Sequence, residues 1–429
     1  MHIKAYLLSI IAKGCAVIGG LLSAELISRS LSPFEQGNYY AFLSLLGFHM
    51  VFDGLSTLLV VKTSHLSQSF PLERNNYNGM LSVELNGLFQ KASKWCNWQS
   101  IVVSIILFFV GWFFFLKQDQ FLLKPWIAAC SMSCFIAMAQ PYLALLEGCG
   151  KVEEVAKIRL FQSFAIHFFT AISLLMGAGI FVIACGIGGA VLVTYFFLYR
   201  WKSFFIAILT SRGEYKWFQE IWSTQWRYIF VGMAIFTIGA APVLFVKHYA
   251  GEAAAGEFGL ARRMFELVLF VGAAMFTTRA AFLGTAFAGG RGELLRTMWL
   301  KSAITGVCVS TFGSAAALCS LKLFVWLGFS FPERLGDMRV LFVLAFLTVF
   351  NCANWSAEVF VRSNGSQPYL IQSIFRTIFT ILCLWLVVPH YGSFGASVVL
   401  LILAASLVLP WNLVLCRNFW ITSVKTTVN

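Results

Sequence analysis

The sequence predicts an all-α integral membrane protein with about twelve transmembrane helices. Three observations lead there. Of the 429 residues only 11% are charged, where soluble domains carry about 25%. Mean hydropathy is +0.80. Apolar runs of about 20 residues, the length that crosses a bilayer, recur from one end of the chain to the other. No connection between them is long enough to hold a soluble catalytic domain of ordinary size.

Taken in order, the runs lie near 5–28, 38–61, 99–116, 126–147, 160–178 and 180–199, then near 227–247, 258–284, 302–320, 339–360, 370–388 and 393–416. The first contains Lys13 and lacks a small-residue cleavage site after a short apolar core. It is therefore expected as a retained span rather than a signal peptide. Of the 31 lysines and arginines, nineteen fall on segments facing one side of the membrane, seven on the other and five inside spans. Basic residues accumulate in cytoplasmic loops, so both termini are expected in the cytoplasm. Two connections, about 62–98 and 212–226, mix Leu and Val with Asn, Glu and Lys. Each is expected as an amphipathic helix on the inner surface.

Composition also excludes function classes. The net charge of +13 belongs to that loop bias and not to a nucleic-acid partner, since no Gly-rich phosphate loop or RNA-binding motif accompanies it. The eleven cysteines fall mostly in apolar runs, where Cys acts as a small hydrophobe. Cys130 and Cys134 are one helical turn apart, but no His cluster joins them, so no metal site is expected. No Ser–His–Asp set, paired carboxylates in a soluble loop or nucleotide motif is present, and no catalytic residue is assigned. The six histidines are scattered, and His167, inside the fifth span, reads as a hydrogen-bonded packing residue.

The chain repeats itself weakly. Gly37-Asn-Tyr39 opens the second span and Gly256-Glu-Phe258 the eighth; Gly150 and Gly365 follow the fourth and tenth; Gly186-Ile-Gly-Gly189-Ala190 and Gly392-Ser-Phe-Gly395-Ala396 precede the bodies of the sixth and twelfth. The same order at similar offsets predicts two halves, residues 1–210 and 211–429. An even number of spans per repeat makes them parallel repeats, between which transporters bind substrate.

Five basic side chains sit inside these spans: Lys13, Arg262, Arg263, Arg279 and Arg376. A charge at membrane depth is costly, so such residues face a protein interior or a water-filled path. They are the candidate lining of a cationic cavity for an anionic passenger. A purely structural reading stands beside this one. Lys13 and Asp53 lie at matching depths on the first two spans, and Arg262 and Glu266 are spaced i, i+4, so either couple would serve as an ion pair. Arg279 and Arg376 can snorkel to the inner interface. Arg263 and Arg376 have no evident acidic partner. Pro141 and Pro242 interrupt the fourth and seventh spans near their middles, where proline kinks a helix and a kink can act as a gate.

The run Ser28-Arg-Ser-Leu-Ser-Pro33-Phe-Glu-Gln-Gly37-Asn-Tyr-Tyr, followed by Asp53-Gly54, resembles the opening of bacterial polysaccharide flippases. Glu220-Ile-Trp-Ser-Thr-Gln225-Trp-Arg227, Pro242-Val-Leu-Phe245 and Ala255-Gly256-Glu-Phe-Gly259 are similar to the linker and the seventh-to-eighth span of O-antigen flippases in the multidrug/oligosaccharidyl-lipid/polysaccharide (MOP) exporter superfamily; the Gly148–Lys151 loop also fits. The resemblance implies a transporter, not an enzyme, built as two pseudo-symmetric six-helix bundles around a central cavity. Seated in the bacterial inner membrane, it would move undecaprenyl-diphosphate-linked oligosaccharide from the cytoplasmic to the periplasmic leaflet by alternating access. A lipid-linked oligosaccharide is the implied substrate, and the O-antigen polymerase and chain-length regulator are implied partners. No cofactor is implied; a proton or sodium gradient is the candidate driving force. Two other readings stay open. A multidrug or cation antiporter of the same superfamily would use a membrane carboxylate, for which Asp53 is the deep candidate. An O-antigen polymerase or ligase would need a large periplasmic loop, whereas the outer loops here are short.

Overall fold

The computed structural model describes residues 3–52, 54–67, 83–113, 120–279, 283, 292–362 and 368–425, and all regular structure among them is helical. Among the described residues, nine helical stretches are long and apolar enough to cross a membrane. Two of them, Phe218–Thr277 and Leu370–Trp420, have 60 and 51 residues, roughly double a span. Each is divided at a glycine with non-helical dihedrals: Gly251 at φ 90°, ψ 174° and Gly392 at φ 54°, ψ −135°. Counting these two twice and adding the 28-residue first helix gives twelve span-length helices, in the positions that hydropathy predicts.

Packing groups the chain into two compact units, Met1–Leu26 with Phe42–Phe236, and Ile27–Ala41 with Thr237–Asn429. The first unit contains most of α1 (Ile3–Ser30), the end of α2 (Pro33–Leu46), α3 (Gly54–Ser67), α4 (Val83–Gly111), α5 (Leu123–Gly148), α6 (Val152–Leu175), α7 (Val182–Tyr199), the short α8 (Lys202–Thr210) and the start of α9 (Ser223–Thr277). Helix α5 packs against α3, α4 and α7, and α6 against α7. Small residues make the α6–α7 contact close: a Cβ at Gly186 would lie 2.6 Å from the Thr170 hydroxyl, and one at Gly189 would collide with the Phe169 ring. Such approach is how helices associate where lipid removes the hydrophobic drive between them. His167 meets Ser23, with Nδ1 and Oγ 3.0 Å apart, which is a packing role.

Both connections expected as surface helices differ from expectation. Residues 83–98 are not separate; they form the first turns of α4, and Leu85 and Leu88 there are buried. Residues 68–82 lie outside the described residues. Residues 217–226 are helical and run into α9, but the 211–216 segment is not helical. It lies along α4, with Glu214 N–H donating to the Val83 carbonyl at 3.1 Å and Gln90 Nε2 to the Ser211 carbonyl at 2.6 Å. The reason is backbone satisfaction: an irregular segment needs partners for its polar groups, and the Val83 carbonyl and the Gln90 amide of α4 supply them.

The second unit contains the 27–41 segment, the rest of α9, α10 (Gly292–Trp326), α11 (Met338–Arg362), α12 (Leu370–Ile402), a π-helical stretch Leu403–Val408 and α13 (Leu409–Lys425). The start of α2 is a capping box. Ser32 Oγ accepts from the Glu35 N–H at 3.2 Å, and Glu35 Oε2 accepts from the Ser32 N–H at 3.0 Å, with Pro33 at the first helical position. Two of the repeated glycine motifs meet in this unit: Gln36 Nε2 donates to the Gly256 carbonyl at 3.2 Å, and a Cβ at Gly37 would collide with the Glu252 carbonyl. Asn354, Gln372 and Asn412 form a buried amide cluster against the π-helical stretch. Gln372 Nε2 donates to Asn412 Oδ1 at 2.9 Å, and Asn354 Nδ2 to the Ala404 carbonyl at 3.1 Å.

Candidate functional site

Three elements of the second unit converge on a cavity of about 110 Å³. The 252–277 arm of α9 contributes Arg262 and Glu266, α11 contributes Thr348 and Asn351, and α12 contributes Arg376 and Thr380. Apolar neighbours, among them Phe265, Leu344 and Leu400, complete the wall. At roughly 30 Å³ per water the space suits a few waters or one small anionic group.

Helical spacing sets the charges. Arg262, Arg263 and Glu266 are separated by three and four residues, which places the carboxylate within reach of both guanidinium groups. Glu266 Oε1 lies 3.2 Å from Arg262 Nε, and Oε2 lies 2.9 Å from Arg263 Nη1. Each carboxylate oxygen is therefore taken by an arginine. Arg262 also donates through Nη1 to the Gly239 carbonyl. Pro242 stands three residues beyond Gly239, and its missing N–H leaves the Ile238 carbonyl without its helical donor. Open space beside Gly239, where a Cβ would touch nothing within 4 Å, admits the guanidinium.

Arg376 differs. It makes no hydrogen bond or ion pair among the described residues. The carboxylate whose charge acts on it is Glu358, which stands 3.5 Å from Arg362 Nη2. One turn along α12, the Thr380 hydroxyl is buried with no hydrogen-bond partner among the described residues. In the cavity wall, Arg262 and Arg376 against Glu266 leave one uncompensated positive charge around a small, partly apolar space. In such surroundings an anion is held more strongly than in water, and the flat guanidinium fork matches phosphate and carboxylate oxygens.

The predicted cations thus part company. Arg262 and Arg376 share the cavity. Arg263 is 58% exposed and sits behind Glu266; the expectation that it lacks an acidic partner is corrected by that contact. Arg279 is exposed in the turn that ends α9 and is not in the cavity wall. The side chains of Lys13 and Asp53 lie outside the described residues, and so does any pairing between them. Pro141 and Pro242 sit within α5 and α9, and the break in α9 is at Gly251 instead. Sequence reading missed three residues. Glu266 was paired with one arginine and serves two. Thr380 is four residues from Arg376, a spacing that already signals one helix face. Lys247, at the outer end of the seventh predicted span, is buried in α9 with Nζ 2.6 Å from Asn38 Oδ1.

Among solved structures, the chain is similar to the lipid II flippase MurJ in an inward closed conformation, with a TM-score of 0.71 and 12% identity over 98% of this chain and 91% of that one. It is similar to an inward-facing multidrug resistance MATE family transporter of the MOP superfamily, with a TM-score of 0.67 and 15% identity over 97% and 99%. A eukaryotic MATE transporter gives 0.61 and 11% over 99% and 98%. No family model matches the chain, and neither does any curated protein. At these identities the likeness is one of fold. The chain is a multi-pass membrane protein with the transporter fold that MATE proteins and MurJ share.

Proposed function

We propose that this protein is a flippase of the bacterial inner membrane. Its cargo would be an undecaprenyl-diphosphate-linked oligosaccharide of the O-antigen type, carried from the cytoplasmic to the periplasmic leaflet by alternating access. The observation that carries the reading is the state of charge in the cavity: Arg376 is unpaired among the described residues, while the lining carboxylate, Glu266, is saturated by two arginines. A cargo cation would meet a net positive wall, whereas a diphosphate would find two guanidinium groups. The cavity, about 110 Å³, is an anchor for a phosphate and not a container for a glycan. Fold likeness to a protein named as a lipid II flippase supports the same class.

The halves 1–210 and 211–429 would rock against each other, with Pro141 and Pro242 as bend points, and with polymerase and chain-length regulator as downstream partners. A proton or sodium gradient would drive the cycle, with Asp53 the candidate coupling carboxylate and Lys13 a further contact for the cargo. The multidrug antiporter reading rests on the MATE neighbours and calls for a free membrane carboxylate.

Proteoliposomes carrying a fluorescent polyprenyl-diphosphate oligosaccharide test the proposal. An impermeant glycosidase should reach inner-leaflet label only when the wild-type protein is present. Arg376→Ala and Arg262→Ala should each lower the rate at least tenfold, since losing a charged hydrogen bond costs about 1.5–3 kcal/mol, and Lys at either position should restore part of it. Wild-type protein that leaves the label untouched while exporting a cationic dye would replace the flippase reading with the antiporter.

A further inference from the structure

A groove of about 780 Å³ in the first unit is built by α4 and residues 215–219. Lys91, Lys94, Trp95 and Trp98 follow one another at i, i+3, i+4 and i+7 on a single face of α4. The facing segment is fastened in place: Lys91 Nζ donates to the Tyr215 carbonyl, and Glu214 N–H to the Val83 carbonyl. Indoles form the floor, with the Trp95 ring 5.7 Å from Trp98, 6.4 Å from Trp217 and 5.5 Å from Trp222. Trp98 and Phe218 are 59% and 72% exposed.

The rim is basic and largely unneutralised. The ammonium groups of Lys94 and Lys216 make no hydrogen bond or ion pair among the described residues. The neighbouring carboxylate, Glu220, influences Lys216 but is already engaged by Lys62 at 2.9 Å and by the Tyr215 hydroxyl at 2.8 Å.

We infer that this groove binds the headgroup of an anionic phospholipid. Tryptophan collects where acyl chains give way to headgroups, and lysine lays its alkyl stem on apolar surface while its ammonium reaches the phosphate level. Basic pockets beside transmembrane helices hold anionic lipid headgroups on the same terms. A zwitterionic lipid brings a phosphate too, but its own ammonium would confront three lysines. The aromatic floor favours a ligand with an acyl chain over a free anion, and lysines 91, 94 and 216 belong to the side that carries the excess of basic residues.

Native mass spectrometry of the full-length protein in mild detergent tests the site, with phosphatidylglycerol, phosphatidylcholine and inorganic phosphate as probes. Wild type should retain one phosphatidylglycerol under conditions that strip phosphatidylcholine. Lys94→Ala with Lys216→Ala should weaken that retention roughly tenfold to thirtyfold. Each single alanine variant, monodisperse by size exclusion, should lose part of it. The double arginine variant and the control Lys202→Ala should retain the lipid as wild type does. Equal retention of both lipids by the wild type, or undiminished phosphatidylglycerol binding in the double alanine variant, would overturn the proposal. Displacement of the lipid by millimolar inorganic phosphate would also overturn it, by assigning the groove to the free anion.

Discussion

Glu266 holds two arginines with its two oxygens, and that sharing makes it the most consequential acid in the second unit. Removing one partner of a desolvated pair leaves the other charges uncompensated, at a cost of about 3–5 kcal/mol. The Glu266 side chain is 29% exposed, so water offsets part of this and the lower end applies. Glu266→Gln is therefore expected to lower the thermal midpoint in detergent by several degrees. Arg263→Ala should change it little, because a pair whose arginine is 58% exposed is worth under about 1 kcal/mol. A midpoint for Glu266→Gln equal to wild type would show that the pair contributes nothing to folding. Arg279 offers the contrasting case. Exposed in the turn after α9, it should tolerate Arg279→Ala with transport unchanged, in the same assay that Arg376→Ala fails.

Two glycines separate backbone strain from crowding in the helices. At Gly251 a Cβ would meet no atom within 4 Å, but φ is 90° and ψ 174°, a region essentially reserved for glycine. Gly251→Ala is expected to cost about 1–3 kcal/mol through strain alone, with no neighbouring substitution able to relieve it. At Gly272, inside the helical arm, a Cβ would collide with the Ser310 hydroxyl and stand 2.9 Å from the Gly306 carbonyl. Gly272→Ala should therefore destabilise by crowding, and adding Ser310→Ala should recover part of the loss. Thermal unfolding of the two single variants and the double variant checks both statements. Recovery of Gly251→Ala by any nearby truncation would contradict the strain account. The capping box at Ser32 and Glu35 gives the Ser-Pro-Phe-Glu run a physical reason of its own, since it starts α2 and satisfies two N–H groups.

For the molecule in its membrane, orientation decides what each charge can meet. Nineteen basic residues on one side against seven on the other favour both termini in the cytoplasm. Alkaline phosphatase fused after Leu122, Tyr249 or Pro332 should then be active, and fused after Asn76 or Gly213 inactive. The reverse pattern would turn the chain over. It would move the tryptophan–lysine groove to the periplasmic face and leave the arginine cavity to receive cargo from the other leaflet.

The number and order of the membrane-crossing helices were readable from the sequence, because bilayer thickness imposes a run of about 20 apolar residues on every crossing. The i, i+4 couple of Arg262 and Glu266 was readable for a similar reason, since helical geometry alone joins them. Which way each helix turns was not readable. Lipid and protein interior are both apolar, so hydropathy reports depth in the membrane and is silent on rotation about the helix axis. Only packing brought Arg376 and Arg262, on α12 and α9, to one cavity, while leaving Arg279 outside it. Only packing gave Arg263 its share of Glu266, buried Lys247 against Asn38 and laid the 211–216 segment along α4. Those outcomes depend on contacts between residues far apart in the chain, where small side chains and satisfied backbone groups, and not apolar content, select the neighbour.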